Sequence, residues 1–247
     1  MNPDDRSVLG RAFALLGAFT AHRPVLGLAE LARRTELPAP TVHRLCAQLC
    51  TRGALERTED GRYRIGVRLW ELGALAPRAH GLRQVALPFL EDLFEATHQN
   101  VQLVVLEGTE ALYVERLSGH HAVPLLGRAG GRLPLHASSG GLVLLAHGGP
   151  ELLAAVLAGG LERFTEHTLT TEHRLRSVLA DVRRTGTVTC RQHLDPGSVA
   201  VAAPVRAGGS VVAAVSVVVA TAEDTAPLLP ALTAACRGIS RGLTTGR

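Results

Sequence analysis

Thr41, Arg44 and Gln48 fall three and four residues apart, with His43 and Thr51 at their flanks, a spacing that lines them up along one face of a helix. Each side chain can hydrogen-bond the edge of a base pair. Arginine suits guanine, glutamine suits adenine, and threonine suits either. A recognition helix enters the major groove by its N-terminal residues, so Thr41 and Arg44 lead the candidates for base contact, with His43 and Gln48 beside them.

Such a face is presented only if the opposite one is buried. Val42, Leu45, Cys46 and Leu49 recur at helical spacing behind it, as do Leu28, Leu31 and Ala32 in the segment before. Between the two, Glu36-Leu37-Pro38 makes a turn. Pro40 disfavours helix at Ala39 and suits a first helical position, so the second helix is expected to start near Pro40. After Gly53, Ala54–Arg57 and Arg62–Ile65 read as two strands joined by Glu59-Asp60-Gly61, a hairpin. Two helices, a turn and a hairpin make a winged helix-turn-helix. Arg52, Arg57, Arg62 and Arg64 are placed to neutralise phosphates beside the groove, as are Arg33 and Arg34 on the first helix. A helix pair of this kind can also be a mere packing unit. The wing and the basic exposed face favour DNA.

Ahead of the reader, Arg6–Phe19 carries an apolar stripe of Val8, Leu9, Ala12, Phe13, Leu16 and Phe19, expected to roof the winged domain. Behind it, Val67–Ala76 reads as a linker helix ended by Pro77, with Leu and Trp residues available to a second subunit.

The chain has 247 residues, enough for a second domain with its own core. All 26 basic residues are arginine, against 22 acidic ones, for a formal charge of +4. That total is weak evidence for nucleic acid. Residues 1–68 hold 11 of the arginines and seven of the acids, so the excess sits in the N-terminal part. The longest apolar run, Val211–Ala220, is interrupted by Ser216 and too short to span a bilayer, and no cleavable leader is visible. The expected setting is cytoplasmic, with no membrane partner. Cys46, Cys50, Cys190 and Cys236 form no Cys-x-x-Cys pair and are expected as reduced thiols.

From Leu82 a long helix runs to about His98, followed by strand-like runs Asn100–Leu106 and Ala111–Leu117. Helical stretches follow at Gly140–His147, Pro150–Leu157 and Thr171–Thr185, then strands Ser198–Arg206 and Val211–Ala220 and a closing helix Ala226–Leu243. The pattern predicts an α+β chain: a winged domain over 1–66, a linker helix over 67–80, and over 81–247 an antiparallel sheet flanked by helices. Cys190-Arg-Gln-His193 has zinc-ligand types with no second pair to complete a site, so neither metal nor cofactor is called for. A hydrolase would need nucleophile, base and oxyanion site together. Ser138, Ser139, His136 and Cys190 supply the types without an acidic orienter, so an enzyme is the weaker reading.

Over nearly its whole length the sequence resembles IclR-type transcriptional regulators. Three stretches carry the likeness: Thr41-Val-His-Arg-Leu45 followed by Leu49 and Gly53; Arg132-Leu-Pro-Leu-His-Ala-Ser-Ser-Gly-Gly-Leu-Val-Leu-Leu-Ala146; and Gly197–Val205 with Val211–Val217. The resemblance implies a winged reader, a dimerising linker helix and a GAF-like domain that senses a small effector, as a homodimer or dimer of dimers on double-stranded operator DNA. It implies effector contacts at Ser139, Gly140 and Gly141, where helix-start amides suit an anion, at Ala200 and Ser216 on late strands, and at Cys190 in the loop before them. Leu126, Leu133, Val104 and Leu106 either line an apolar wall or are ordinary core. The sequence departs from the family before Gly197, where acidic residues are usual and only Asp195 lies close, and at Leu142, where lysine is common. The expected function is a regulator, repressor rather than activator, with effector-modulated DNA affinity. The alternatives are a C-terminal domain that only dimerises, or a GAF-like enzyme.

Overall fold

The computed structural model describes residues 7–20, 23–119, 122–123 and 130–245, the side chains of 77–80 and 245 excepted. The chain divides into two compact units, Met1–His80 and Gly81–Arg247.

In the first unit, α1 (Val8–Gly17) is opened by Ser7, whose hydroxyl accepts from the Gly10 amide at 2.8 Å. β1 (Val25–Leu26) leads to α2 (Leu28–Thr35), which ends on Glu36 in the left-handed region at φ 55°. That cap turns the chain into α3 (Ala39–Thr51), with Pro40 in its first turn. β2 (Leu55–Arg57) and β3 (Tyr63–Ile65) form the hairpin, and β1 pairs with β3 to give a three-stranded sheet in the order β1-β3-β2. Leu15, Leu26, Leu31, Val42, Leu45, Cys46, Leu55 and Tyr63 close the core. The expected roof is split. Leu15, Ala18 and Phe19 are buried, whereas Val8, Leu9 and Phe13 are more than half exposed, because the three-helix core is too small to cover a helix on two sides.

α4 (Val67–Gly73) follows the wing, and Trp70 on it is 73% exposed. Pro77 does not end this helix. It opens α5 (Pro77–Thr97), five residues ahead of the expected Leu82 start, since proline lacks only an amide that a first helical turn leaves unused.

The second unit is built on a six-stranded antiparallel sheet in the order β6-β5-β4-β9-β8-β7. Its strands are β4 (Asn100–Glu107), β5 (Glu110–Leu117), β6 (Arg132–Pro134), β7 (Val188–Arg191), β8 (Ser198–Ala207) and β9 (Ser210–Ala220). The short edge strands β6 and β7 were not anticipated, and β7 puts Cys190 on a strand paired with Ala200 instead of in a loop. α6 (Ser139–His147), α7 (Gly149–Ala158) and α8 (Glu172–Thr185) share a core with one sheet face through Val104, Ala202 and Ala214. α9 (Leu228–Thr245) lies against β8 on the other face, where Cys236 Sγ reaches Ala203 O at 3.6 Å. α5 packs on α9 where Gly238 makes room: a Cβ there would stand 2.6 Å from Phe89 Cδ1. Two helical layers thus enclose the sheet.

Of these helices α6 is the most enclosed, with every residue from Ser139 to Ala146 buried. Two glycines allow it. A Cβ on Gly140 would lie 2.5 Å from Val104 Cγ2, and one on Gly141 would lie 2.7 Å from Leu135 Cα and 2.8 Å from Leu135 O. The start of α6 is thereby pressed onto the middle of the sheet.

Candidate functional site

The first unit presents the polar face of α3 to solvent. His43, Arg44 and Gln48 are exposed and Thr41 is half-buried at the N-terminal end, while Val42, Leu45 and Cys46 hold the helix from behind. Arg34, Arg44 and Arg52 enter no ion pair among the described residues. The wing arginines differ. Arg62 Nε meets Asp60 at 2.6 Å and Arg64 Nη2 meets Glu56 at 2.7 Å, while Arg57 Nε donates to Gly61 O at 3.4 Å. The Arg64 hydrogen bond, then the Val67 amide, hold the Glu56 carboxyl below its ordinary range. For Asp60 the Thr58 hydroxyl acts first and Arg62 second. Arg33 lies 3.9 Å from Glu30, a loose contact. Four cations, Arg33, Arg34, Arg44 and Arg52, are therefore more available to phosphate or base than the wing pair.

Cys46 is buried one helical turn before Cys50, and burial pushes its thiol up to about 11. That places it as a core group.

In the second unit a cavity lies between the start of α6 and its sheet face. It is lined by Gln102, Tyr113, Leu133, Ala137, Ser138, Ser139, Cys190, His193, Leu194, Asp195, Ser198, Ala200 and Val218, and holds about 590 Å³ of atom-free space counted out to its mouth. Ser138 precedes α6, yet its hydroxyl donates to Pro134 O at 2.7 Å and caps no helix amide. The first-turn amides are thus left for another acceptor.

The loop on the opposite side is tied down by hydroxyls. Thr165 Oγ1 donates to Gln192 O at 2.5 Å and Thr168 Oγ1 to His193 O at 2.6 Å. His193 is held below its ordinary pKa by burial first, then by Arg174 and His167, and its Nδ1 is buried without a hydrogen-bond partner among the described residues. Asp195 Oδ1 accepts from the Gly197 amide at 2.7 Å. Burial pushes the Cys190 thiol up to about 12, so it meets the cavity as an apolar, uncharged group.

The comparisons with known proteins bear on both units. Residues 8–59 match the model of the IclR helix-turn-helix domain, and residues 75–241 match that of the bacterial transcriptional regulator IclR C-terminal domain. The chain belongs to the IclR family of transcriptional regulators. It is 33% identical to the HTH-type transcriptional regulator XynR of Escherichia coli K12 over 79% of this chain and 78% of that one. It is 29% identical to the transcriptional repressor IclR of the same organism, over 72% and 66% respectively. The crystal structure of an IclR homolog from Microbacterium hydrocarbonoxydans, complexed with 4-hydroxybenzoate, superposes with a TM-score of 0.92 at 40% identity, covering 96% of this chain and 99% of that one.

Within this IclR-family regulator, Leu133, Ser139, Cys190 and Ala200 meet at the cavity. Gly140 and Gly141 do not line it. Their place is the contact between α6 and its neighbours, where a side chain would collide. Ser216 is buried and does not line the cavity; its hydroxyl donates to Gln102, which does. Leu126 lies outside the described residues. Val104 belongs to the core under α6, and Leu106 packs against that core. Gln102, Tyr113 and Ser198 were not expected from the sequence. A polar side chain inside the otherwise apolar run Val101–Leu106 was the available signal.

No group of three or more His, Cys, Asp or Glu able to hold a metal occurs among the described residues. No helix there is long and apolar enough to cross a membrane. Gly238-Ile239-Ser240-Arg241-Gly242 spells the spacing of a hydrolase nucleophile elbow, but it lies inside α9, where Ser240 Oγ donates to Cys236 O at 2.6 Å. An elbow needs a sharp strand-to-helix turn.

Proposed function

We propose that this regulator is a repressor whose hold on its operator is changed by a small aromatic hydroxycarboxylate bound in the cavity of the second unit. The cavity carries the reading: it joins the uncapped start of α6, whose amides suit a carboxylate, to an apolar middle and to a loop that brings His193 and Asp195. The 4-hydroxybenzoate bound by the Microbacterium homolog supports this ligand class, and the repressor named among the relatives supports the sign.

On the DNA side, Thr41, Arg44 and Gln48 read bases from the major groove with His43 beside them. Arg33, Arg34, Arg52, Arg57, Arg62 and Arg64 are assigned to the phosphates. Two copies are needed, since half-sites about 34 Å apart require two recognition helices. The exposed Val8, Leu9 and Phe13 of α1 and Trp70 of α4 offer apolar surface for that homodimer, and a dimer of dimers would extend it. The protein then works in the cytoplasm, where its operator lies.

Ligand acts by favouring one placement of the two readers, and a coupling of about 1 to 3 kcal/mol changes DNA affinity some 5- to 150-fold. Fluorescence anisotropy on DNA from upstream of its own gene, at fixed salt and with a scrambled duplex as control, tests this. Roughly thousandfold preference for the upstream duplex, with release on adding 4-hydroxybenzoate, is the expected result. Specific binding indifferent to the acid would leave a second unit that only dimerises.

A further inference from the structure

Ser216 on β9 and Gln102 on β4 are register partners, so both side chains leave the sheet on the face covered by α6. Ser216 Oγ donates to Gln102 Oε1 at 3.1 Å, and both residues are buried. That bond takes one of the two lone pairs of the amide oxygen and holds the amide in place. The amide nitrogen can donate, and Gln102 and Tyr113 on β5 line the same cavity.

Tyr113 reaches this face through a β-bulge. Leu103 pairs with Glu115 but Val104 pairs with Tyr113, which leaves Val114 as the extra residue. Strict alternation would turn Tyr113 to the opposite face. The bulge re-aims it to line the cavity.

The phenol keeps its own proton to donate. We propose that Tyr113 is the specificity-determining hydrogen-bond donor of the cavity: Ser216 holds the Gln102 amide, the amide nitrogen donates to the phenol oxygen, and the phenol proton goes to a carboxylate oxygen of the ligand. The inference rests on the ligand class proposed above. Two charges agree with it. Burial pushes the Tyr113 phenol above its ordinary pKa, and Arg116, opposite Gln102 in the register, opposes that as a nearby cation that favours an anion beside it. Asp195 also lines the cavity and repels a carboxylate from its own side.

Calorimetric titration of the full-length protein with 4-hydroxybenzoate and with its neutral amide tests the assignment. Tyr113→Phe removes one oxygen and keeps the ring. It is expected to weaken 4-hydroxybenzoate roughly ten- to hundredfold, as for a hydrogen bond to a charged acceptor, and the amide less. Ser216→Ala frees the Gln102 amide to turn its oxygen towards Tyr113, with an expected loss of about three- to tenfold. In the Tyr113→Phe background the same change costs nothing further, because Ser216 acts only through Tyr113. A merely structural Ser216 would add its full loss there and overturn the relay. Tyr113→Phe binding the acid as tightly as wild type, with unchanged melting temperature, would overturn the donor role alone. Wild type that binds neither compound would remove the ligand class, and the inference with it.

Discussion

α3 and α6 both bring polar groups to a helix start, and they are built in opposite ways. α3 buries Val42, Leu45 and Cys46 and leaves Arg44 and Gln48 in water. α6 buries every residue from Ser139 to Ala146 and works from inside the protein. A group on α3 is solvated until DNA arrives, so its worth lies in spacing along an exposed face. Groups around α6 are already out of water, so each must find a partner in the fold or wait for a ligand. Substitutions on α3 should therefore change binding and spare stability, and those at α6 should do the reverse.

Gly141→Ala is the hardest test of that contrast. Its Cβ would meet Ser138 Oγ and the Leu135 backbone, which cannot swing aside. The expected cost is about 3 kcal/mol, at the upper end for overpacking, and a fall in melting temperature of roughly 6 to 12 °C for a unit of this size. Gly73→Ala on α4, with nothing within 4 Å of its Cβ, should instead stabilise by about 0.5 to 1 kcal/mol. Equal effects would show that α6 is not under steric control. Next in size is Arg44→Ala, expected to cost about 1 to 3 kcal/mol on the operator and little on scrambled DNA, with melting unchanged. Equal losses on both duplexes would reduce Arg44 to a phosphate contact.

The same contrast explains what the sequence made legible. Val42, Leu45, Cys46 and Leu49 show their period directly, and an exposed helix displays its functional residues on the complementary positions. The helix-turn-helix could thus be read to within a residue of its start at Ala39. The cavity lining comes from six separate strands, a loop and the start of α6, and a period of two tells which face a residue takes only while alternation holds. Val114 breaks it, so Tyr113 was hidden by a bulge that no residue type announces. Gly140 and Gly141 stood out in the sequence, but a glycine beside a helix start serves close packing as well as ligand contact, and the close packing shows only in the distances. Pro77 was ambiguous in the same way, since proline both stops helices and starts them.

The wing sharpens the reading of α3 by a smaller effect. Arg64 is compensated by Glu56, which is kept ionised, whereas Arg52 has no ion partner among the described residues. If Arg52 contacts a phosphate, Arg52→Gln lowers the slope of log affinity against log salt by about 0.9, and Arg64→Gln lowers it less. The order of the two slopes is the observable, and the reverse order would mean that the wing pair opens on DNA.

The smallest effect expected concerns His193. Its folded pKa is depressed, chiefly by burial and then by Arg174 and His167, while in the unfolded chain it titrates near the ordinary 6.5. The folded state therefore binds fewer protons than the unfolded one in this range. Stability is complete above about pH 6.5 and is lost as the pH falls below it, because protonation favours the unfolded chain. Urea midpoints at pH 7.5 and 5.5 should fall further for wild type than for His193→Gln, the other histidines being common to both proteins. A ligand that hydrogen-bonds Nδ1 changes this in a readable direction. Bound to the neutral ring, it deepens the depression and widens the gap between the two proteins, while a gap that is absent with and without ligand would mean that this histidine opens freely to water.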